Sequence, residues 1–483
     1  MILLWLLGSA IVGVPILALW GDGRKGRWLF IAINFLVLSC SVLAAKDFLQ
    51  QGPLAAMGEE LRMDAFSLIL VLLNSVVGMM TAWFSAGYWQ QEVQHHHFGK
   101  GRQRLYHAMF QSFLATMLLA LLSNNLGILW VALEGATLST VLLVSLLLSC
   151  ESLEAAWKYF ILCGVGLAMA LFGTVLLYFA AQPVLGTGAQ ALLWSALHHH
   201  AASLNGTVMA LAFVFILVGY GTKVGLAPLN SWLPDAHAAG PSTVSAVLSG
   251  LLLNVALYAI LRYKSLADAA LGPAFASRLL LVFGLLSLLL AAFSMLRQHD
   301  VKRLFAYSSA EHMGIICIAF GLGGPLAIFA GVLHMLGHSL AKTSVFFSVG
   351  RAIQESDSRE LEDLHGILAS RPVLGWSLLL SVLAILGMPP GSLFLSEFLI
   401  VVASVQHAWF ITPLLLLGLG TAFAAILPRL LQMLYGAPNS PKVILSGKDL
   451  RPAFLQILAV MTLGIWIPVS LDGWMHSIVG ILQ

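Results

Sequence analysis

The chain has 483 residues, of which 59% are hydrophobic and only 9% charged, against roughly 25% charged residues in soluble domains. A soluble fold is excluded, and a net charge of +3 is so small that its placement along the chain matters more than its total. The apolar residues come in runs of about 20 separated by short polar breaks, the length that crosses a hydrocarbon core of about 30 Å. Cys40, Cys150, Cys163 and Cys317 lie far apart with no CxxC spacing, so the chain offers no cysteine site for iron-sulfur, nickel or zinc.

The first apolar run, Met1 to Trp20, is followed by no small-residue cleavage site and reads as a retained first helix. Fourteen spans are predicted, centred near residues 10, 37, 75, 114, 138, 170, 218, 252, 287, 311, 337, 388, 422 and 462. The first connection holds Arg24, Lys25 and Arg27, and the other odd-numbered connections keep the excess, with Lys100, Arg102, Arg104, Lys302 and Arg303 among them. The opposite side has only Lys46, Arg62, Arg262, Lys264 and Arg278. The positive-inside rule then places the odd-numbered connections in the cytoplasm and both termini outside it. With no soluble insertion, any cofactor belongs to a partner polypeptide, and nothing suggests a nucleic-acid partner.

A charge near the bilayer centre costs about 2.5 to 3.5 kcal/mol even on lenient scales, so each ionisable residue inside a span needs a reason. Glu134 lies in LGILWVALEGATLSTVLLV, two apolar turns from either end; a structural hydrogen bond between helices is the plainer alternative. Lys223 closes a long apolar run in AFVFILVGYGTKVGLAPLNSWLPDAH. Gly219, Gly221, Gly225 and Pro228 around it permit a broken helix, which at mid-membrane depth must line a polar cavity. Asp235 and His237 follow at the expected cytoplasmic edge, as a proton-uptake point or, for Asp235, as a helix cap.

Glu311 and His312 come a few residues into the tenth span, after the basic turn DVKRLFAYSS. His334, His338 and Lys342 in GVLHMLGHSLAKTSVFF stack along one helix face at i, i+4 and i+8. Histidine suits a proton relay because its two nitrogens can accept and donate on opposite sides. A metal site is the rival reading, but no carboxylate or cysteine on the same helix completes it. Pro389 and Pro390 in LGMPPGSLFLSEFLIV prevent a continuous helix and leave Glu397 about two turns beyond the break. The triplets His95-His96-His97 and His198-His199-His200 fall in predicted loops and read as solvated.

The motifs KVGLAPLNSWLPDAHAAGPSTVSAVLSG, DVKRLFAYSSAEHMG, LHMLGHSLAKTSVFF and GMPPGSLFLSEF resemble the antiporter-like membrane subunits of complex I and of Mrp antiporters. The variants SAEHMG, SGLLLN and PPGSLFLSEF most resemble the F-type membrane subunit of hydrogenase-4, of the formate hydrogenlyase and group 4 nickel-iron hydrogenase kind. The resemblance implies an all-α integral membrane fold of about 14 transmembrane helices, with two inverted five-helix repeats and broken seventh and twelfth helices. The segments are then residues 1–105 (three N-terminal spans), 106–265 and 278–436 (the repeats), and 452–483 (a last span).

By the same resemblance, Glu134 and Lys223 match an acid-lysine pair, His312, His338 and Lys342 fall on or near a hydrophilic axis, and Glu397 matches a terminal acidic site. Asn254 stands in LLLNVALYAILRY where many relatives carry a lysine. Asparagine exchanges no proton at ordinary pH, so water would have to bridge from Lys223 toward His312 or His338. The expected route runs from Lys223 through water, His312 and His338 to Lys342 and Glu397. If Glu134 stood about 4 Å from Lys223, the pair would attract by roughly 4 kcal/mol at an effective dielectric of 20. The implied partners are further membrane subunits and soluble subunits carrying a nickel-iron centre and iron-sulfur clusters; this chain itself holds no cofactor. Two other readings stay open, a sodium/proton antiporter module and a non-conducting scaffold, the latter favoured by Asn254. No nucleotide loop or nucleophile-base constellation marks the chain as an enzyme on its own.

Overall fold

The computed structural model describes residues 1–96, 99–437 and 447–482. The described chain is an all-α, multi-pass membrane protein. Among the described residues, twelve helices are long and apolar enough to cross a membrane, or up to 13 spans if the helices Arg451–Ile465 and Val469–Leu482, bent by 72°, are taken as one. The stretch near residue 388, expected as one broken span, is two apolar helices, Pro372–Ile385 of 14 residues and Ser392–His407 of 16. Each is too short to cross alone. Burial separates the centre from the rim. The most apolar stretch of the helix Ser242–Leu271 is 100% buried, against 33% for those of Ile2–Trp20 and Thr412–Leu434, so the first is ringed by protein and the other two face lipid.

Two breaks shape the interior, and both are built from residues that cannot continue a helix. The helix Gly206–Val224 stops at Gly225, whose φ of 78° is left-handed. The chain resumes as Trp232–Ala239, so Pro228, which lacks an N–H to give a helix, lies in the gap. The freed backbone groups find side chains, as membrane interiors demand. Ala227 N–H donates to Ser287 Oγ at 2.9 Å, and Trp232 Nε1–H donates to the Thr222 carbonyl at 2.7 Å. The second break follows Ile385 and contains Gly387, with φ 63°, and the pair Pro389-Pro390.

Three elements were not anticipated. Leu54–Ala56 and Leu61–Met63 form an antiparallel hairpin with Leu54 opposite Met63; strands of three residues leave too little alternation to read. Leu248–Leu252 is a π-helical turn, where Gly250 lets the helix Gly324–Ser356 approach so closely that a methyl group there would strike Thr343. His198, His199 and His200 end a short helix, Trp194–His200, rather than a loop, because Trp194 stacks on His198 at 4.8 Å and its Nε1–H donates to the Arg262 carbonyl at 3.0 Å. The other triplet ends the helix Ala65–His96, with His97 outside the described residues.

Candidate functional site

Buried ionisable groups gather at two places inside the bundle. The first surrounds Lys223, in the last turn of Gly206–Val224 and fully buried. Its ammonium donates to Thr137 Oγ1 at 2.5 Å and lies 5.7 Å from the centroid of the Tyr159 ring. Tyr159 and Thr140 share a hydrogen bond of 2.7 Å between their hydroxyls. Glu134 lies on the same helix as Thr137, Leu126–Val144, one turn earlier. It is half-buried, and its Oε2 has no hydrogen-bond partner. The ammonium's hydrogen bond goes to Thr137, which shares a helix face with Glu134 three residues earlier, and Glu134 is near enough to Lys223 to interact with it electrostatically.

The second gathering lies where Val301–Leu322, Gly324–Ser356 and Ser392–His407 meet. Glu311, His312, His334, His338 and Lys342 are all buried there. Nδ1 of His312 and Nε2 of His334 lie 2.9 Å apart, one ring donating to the other. Each ring's other nitrogen also faces a polar group: His312 Nε2 is 3.5 Å from Glu311 Oε2, and His334 Nδ1 is 2.9 Å from Ser396 Oγ. Both nitrogens of His338 lack a hydrogen-bond partner, and its ring centroid is 5.5 Å from that of His312. A carboxylate oxygen of Glu397 and one nitrogen each of His312 and His334 lie within 4.8 Å of one another. A cavity of about 230 Å³ opens beside Glu311, His312 and Glu397.

Lys342 donates to the Phe305 carbonyl at 3.1 Å. It lies two helical turns, about 12 Å, from His334 along one helix, so His334 and not Lys342 adjoins Glu397. The order expected from the sequence is changed accordingly. Asn254 adjoins the helix of the second gathering, with Nδ2 donating to the Met335 carbonyl at 3.1 Å and to Ser339 Oγ at 2.7 Å, while its Oδ1 has no partner. His237 is also buried without a hydrogen-bond partner on either nitrogen, its ring 5.3 Å from Phe346.

Asp235 is no helix cap. It lies inside the first turn of Trp232–Ala239 and accepts from Arg303 at 2.6 Å and from Lys158 at 3.2 Å. The pair of cations draws the carboxylate toward a polar cavity of about 360 Å³ that Glu151, Asp300 and Arg359 also line. At another end of the bundle Asp64 accepts from Arg262 at 2.7 Å. The guanidinium is 4.3 Å from the Trp194 ring centroid and 4.8 Å from that of Tyr258. Sequence reasoning singled out the charged members of the two gatherings and missed Asp64 beside Arg262, as well as Thr137, Tyr159 and Ser396. A hydroxyl in an apolar helix usually bonds its own backbone, so nothing in its spacing distinguishes one that reaches a neighbour.

The sequence model of the family described as NADH:quinone oxidoreductase/Mrp antiporter, TM, matches residues 123–423. The chain is 46% identical over 465 residues to the hydrogenase-4 component F homolog of Methylacidiphilum infernorum (isolate V4), spanning 96% of each. Among solved structures it is similar to a chain of the membrane-bound sulfane sulfur reductase, an archaeal respiratory membrane complex. The TM-score is 0.89 at 24% identity, over 99% of this chain and 97% of that one. It is also similar to a chain of the Mrp complex from Dietzia sp. DQ12-45-1b, with a TM-score of 0.86 at 18% identity over 100% and 98%. At these identities the structural likeness establishes the fold.

Proposed function

The chain belongs to the NADH:quinone oxidoreductase/Mrp antiporter family of membrane subunits, and from that premise we propose that it is the proton-translocating subunit of a hydrogenase-type respiratory complex. Electron transfer in soluble partner subunits, which carry the nickel-iron centre and iron-sulfur clusters, drives protons through its buried Glu, Lys and His residues. It sits in a bacterial inner membrane with both termini periplasmic. The observation that carries this reading is the buried line from Glu311 through His312 and His334 to Ser396, with neighbouring groups 2.9 to 3.5 Å apart and Glu397 beside it. An imidazole takes a proton on one nitrogen and releases one from the other, so paired rings flanked by acids can pass protons without large motion.

The proton path starts at Lys223, which exchanges its proton when Glu134 approaches or withdraws, since an opposite charge nearby favours the ammonium and desolvation disfavours it. Water carries the proton past Asn254 and Lys342 to the His338–His312–His334 group, and Glu397 receives it. Hydrogenase coupling draws its support from the name of the relative that matches along nearly the whole chain. The test is proton uptake by inverted vesicles during turnover of the assembled complex. Lys223→Met abolishes uptake while assembly persists; retained uptake overturns the reading. A pull-down that brings nickel-iron and iron-sulfur subunits together with hydrogen evolution supports the hydrogenase assignment.

A second reading, sodium/proton exchange, draws on the family description, which names Mrp antiporters. Sodium dependence at fixed membrane potential separates the two.

A further inference from the structure

We infer that His312 Nδ1, His334 Nε2 and the carboxylate of Glu397 form a three-ligand site for a divalent transition-metal ion of the zinc class, lodged within the membrane. On its own helix the His334-His338-Lys342 stripe has only the distant Glu355, which pairs with Arg351 and Arg371; the second break supplies a nearer carboxylate by turning Ser392–His407 so that Glu397 meets the two rings. The two facing nitrogens are 2.9 Å apart. Tetrahedral ligands at zinc-nitrogen distances of about 2.0–2.1 Å stand roughly 3.3 Å from one another, so the rings need to part by only a few tenths of an ångström.

The surroundings are those of a ligand set rather than of a single hydrogen bond. Metal-bound histidines usually give their remaining N–H to a carboxylate or another acceptor, which fixes the ring. Both rings have an acceptor of this kind: the Ile385 backbone for His312, with Glu311 3.5 Å from its Nε2, and Ser396 for His334. Two carboxylates, Glu397 as ligand and Glu311 behind the first ring, balance a 2+ ion, which matters where an uncompensated charge is costly. His338 lies beside the cluster with both nitrogens buried and unpartnered. The 230 Å³ cavity against Glu311, His312 and Glu397 leaves room for a fourth, water ligand. Two imidazoles select transition ions over sodium or magnesium, which take oxygen donors.

Metal binding here is independent of whether protons flow. If they do, the bound ion occupies the space of the proton shared by the two rings and stops conduction, a consequence that rests on the function proposed above. The test measures zinc retained by the purified complex after loading and gel filtration, in a background where all six histidines of the two triplets are glutamine. The expected result is one zinc fewer per copy of this chain in His334→Gln and in Glu397→Gln, and no change in His476→Gln. Ser396→Ala leaves all three ligands in place, so it keeps the test decisive should the ligand variants fail to assemble. It weakens zinc binding about tenfold, as lost outer-sphere support does. Equal zinc content and affinity in all of these proteins would overturn the site.

Discussion

The ammonium of Lys223 is held by Thr137, 2.5 Å away and one helical turn beyond Glu134. A threonine hydroxyl accepts a hydrogen bond but carries no charge, so it holds the lysine without fixing its protonation. Thr137→Val keeps the shape and removes the acceptor. A hydrogen bond to a charged group contributes about 1.5–3 kcal/mol, so proton uptake by vesicles should fall between about tenfold and a hundredfold. Assembly, followed by native gel, should not change. Unaltered uptake would show that the lysine does not depend on this anchor.

Asn254 separates a conducting subunit from a scaffold. Asn254→Leu removes both donors that reach the helix Gly324–Ser356 and puts hydrocarbon where the proposed water path passes. Uptake should drop at least tenfold, and Asn254→Lys, which restores a titratable group, should conduct. Equal behaviour of the two variants with intact hydrogen evolution would favour the scaffold.

Gly387 has a left-handed φ of 63°, and a methyl group on it would collide with the Glu397 carboxylate. Gly387→Ala should therefore displace Glu397 and cut uptake by an order of magnitude or more. Gly164 has nothing within 4 Å of its added Cβ, and Gly164→Ala should behave as the unsubstituted chain.

Asp64, just outside the helix Ala65–His96, gives a pH signature. Burial pushes its carboxyl up, but the Arg262 guanidinium and the hydrogen bonds from Ser67 outweigh this and hold it below the usual value. A lowered folded pKa means that the stabilisation is complete above the unfolded value, near 3.9, and is lost as pH falls through the folded one. Asp64→Asn should lower stability near neutral pH by about 3–5 kcal/mol, the cost of leaving a buried charge alone. It should also flatten the acid limb of a thermal-shift profile; a parallel profile would remove the pair from any such role.

What the sequence disclosed follows from what is local. The stripe His334-His338-Lys342 is a matter of helical spacing, and the breaks at Pro228 and Pro389-Pro390 follow from a missing N–H. Contacts across the bundle were hidden. No periodicity tells that Glu397 meets His334 and not Lys342, since that depends on the angle at which Ser392–His407 leaves the break. Thr137 and Ser396 were missed for a chemical reason: their hydroxyls look alike in sequence whether they bond their own helix or a neighbour. Arg262 and Lys264 were counted among the basic residues of a connection, yet both are buried in Ser242–Leu271 and pair with Asp64 and Asp268.

The enclosure of Ser242–Leu271 also bears on how the protein is made. In the finished molecule no side of the best-buried stretch of this helix touches lipid, so its apolar surface is not required there by the bilayer. It is required earlier, while the nascent segment leaves the insertion machinery without its neighbours. Asp64 then waits for Arg262, a residue synthesised almost two hundred positions after it, and the buried pair closes only when the central helix joins the helix Ala65–His96.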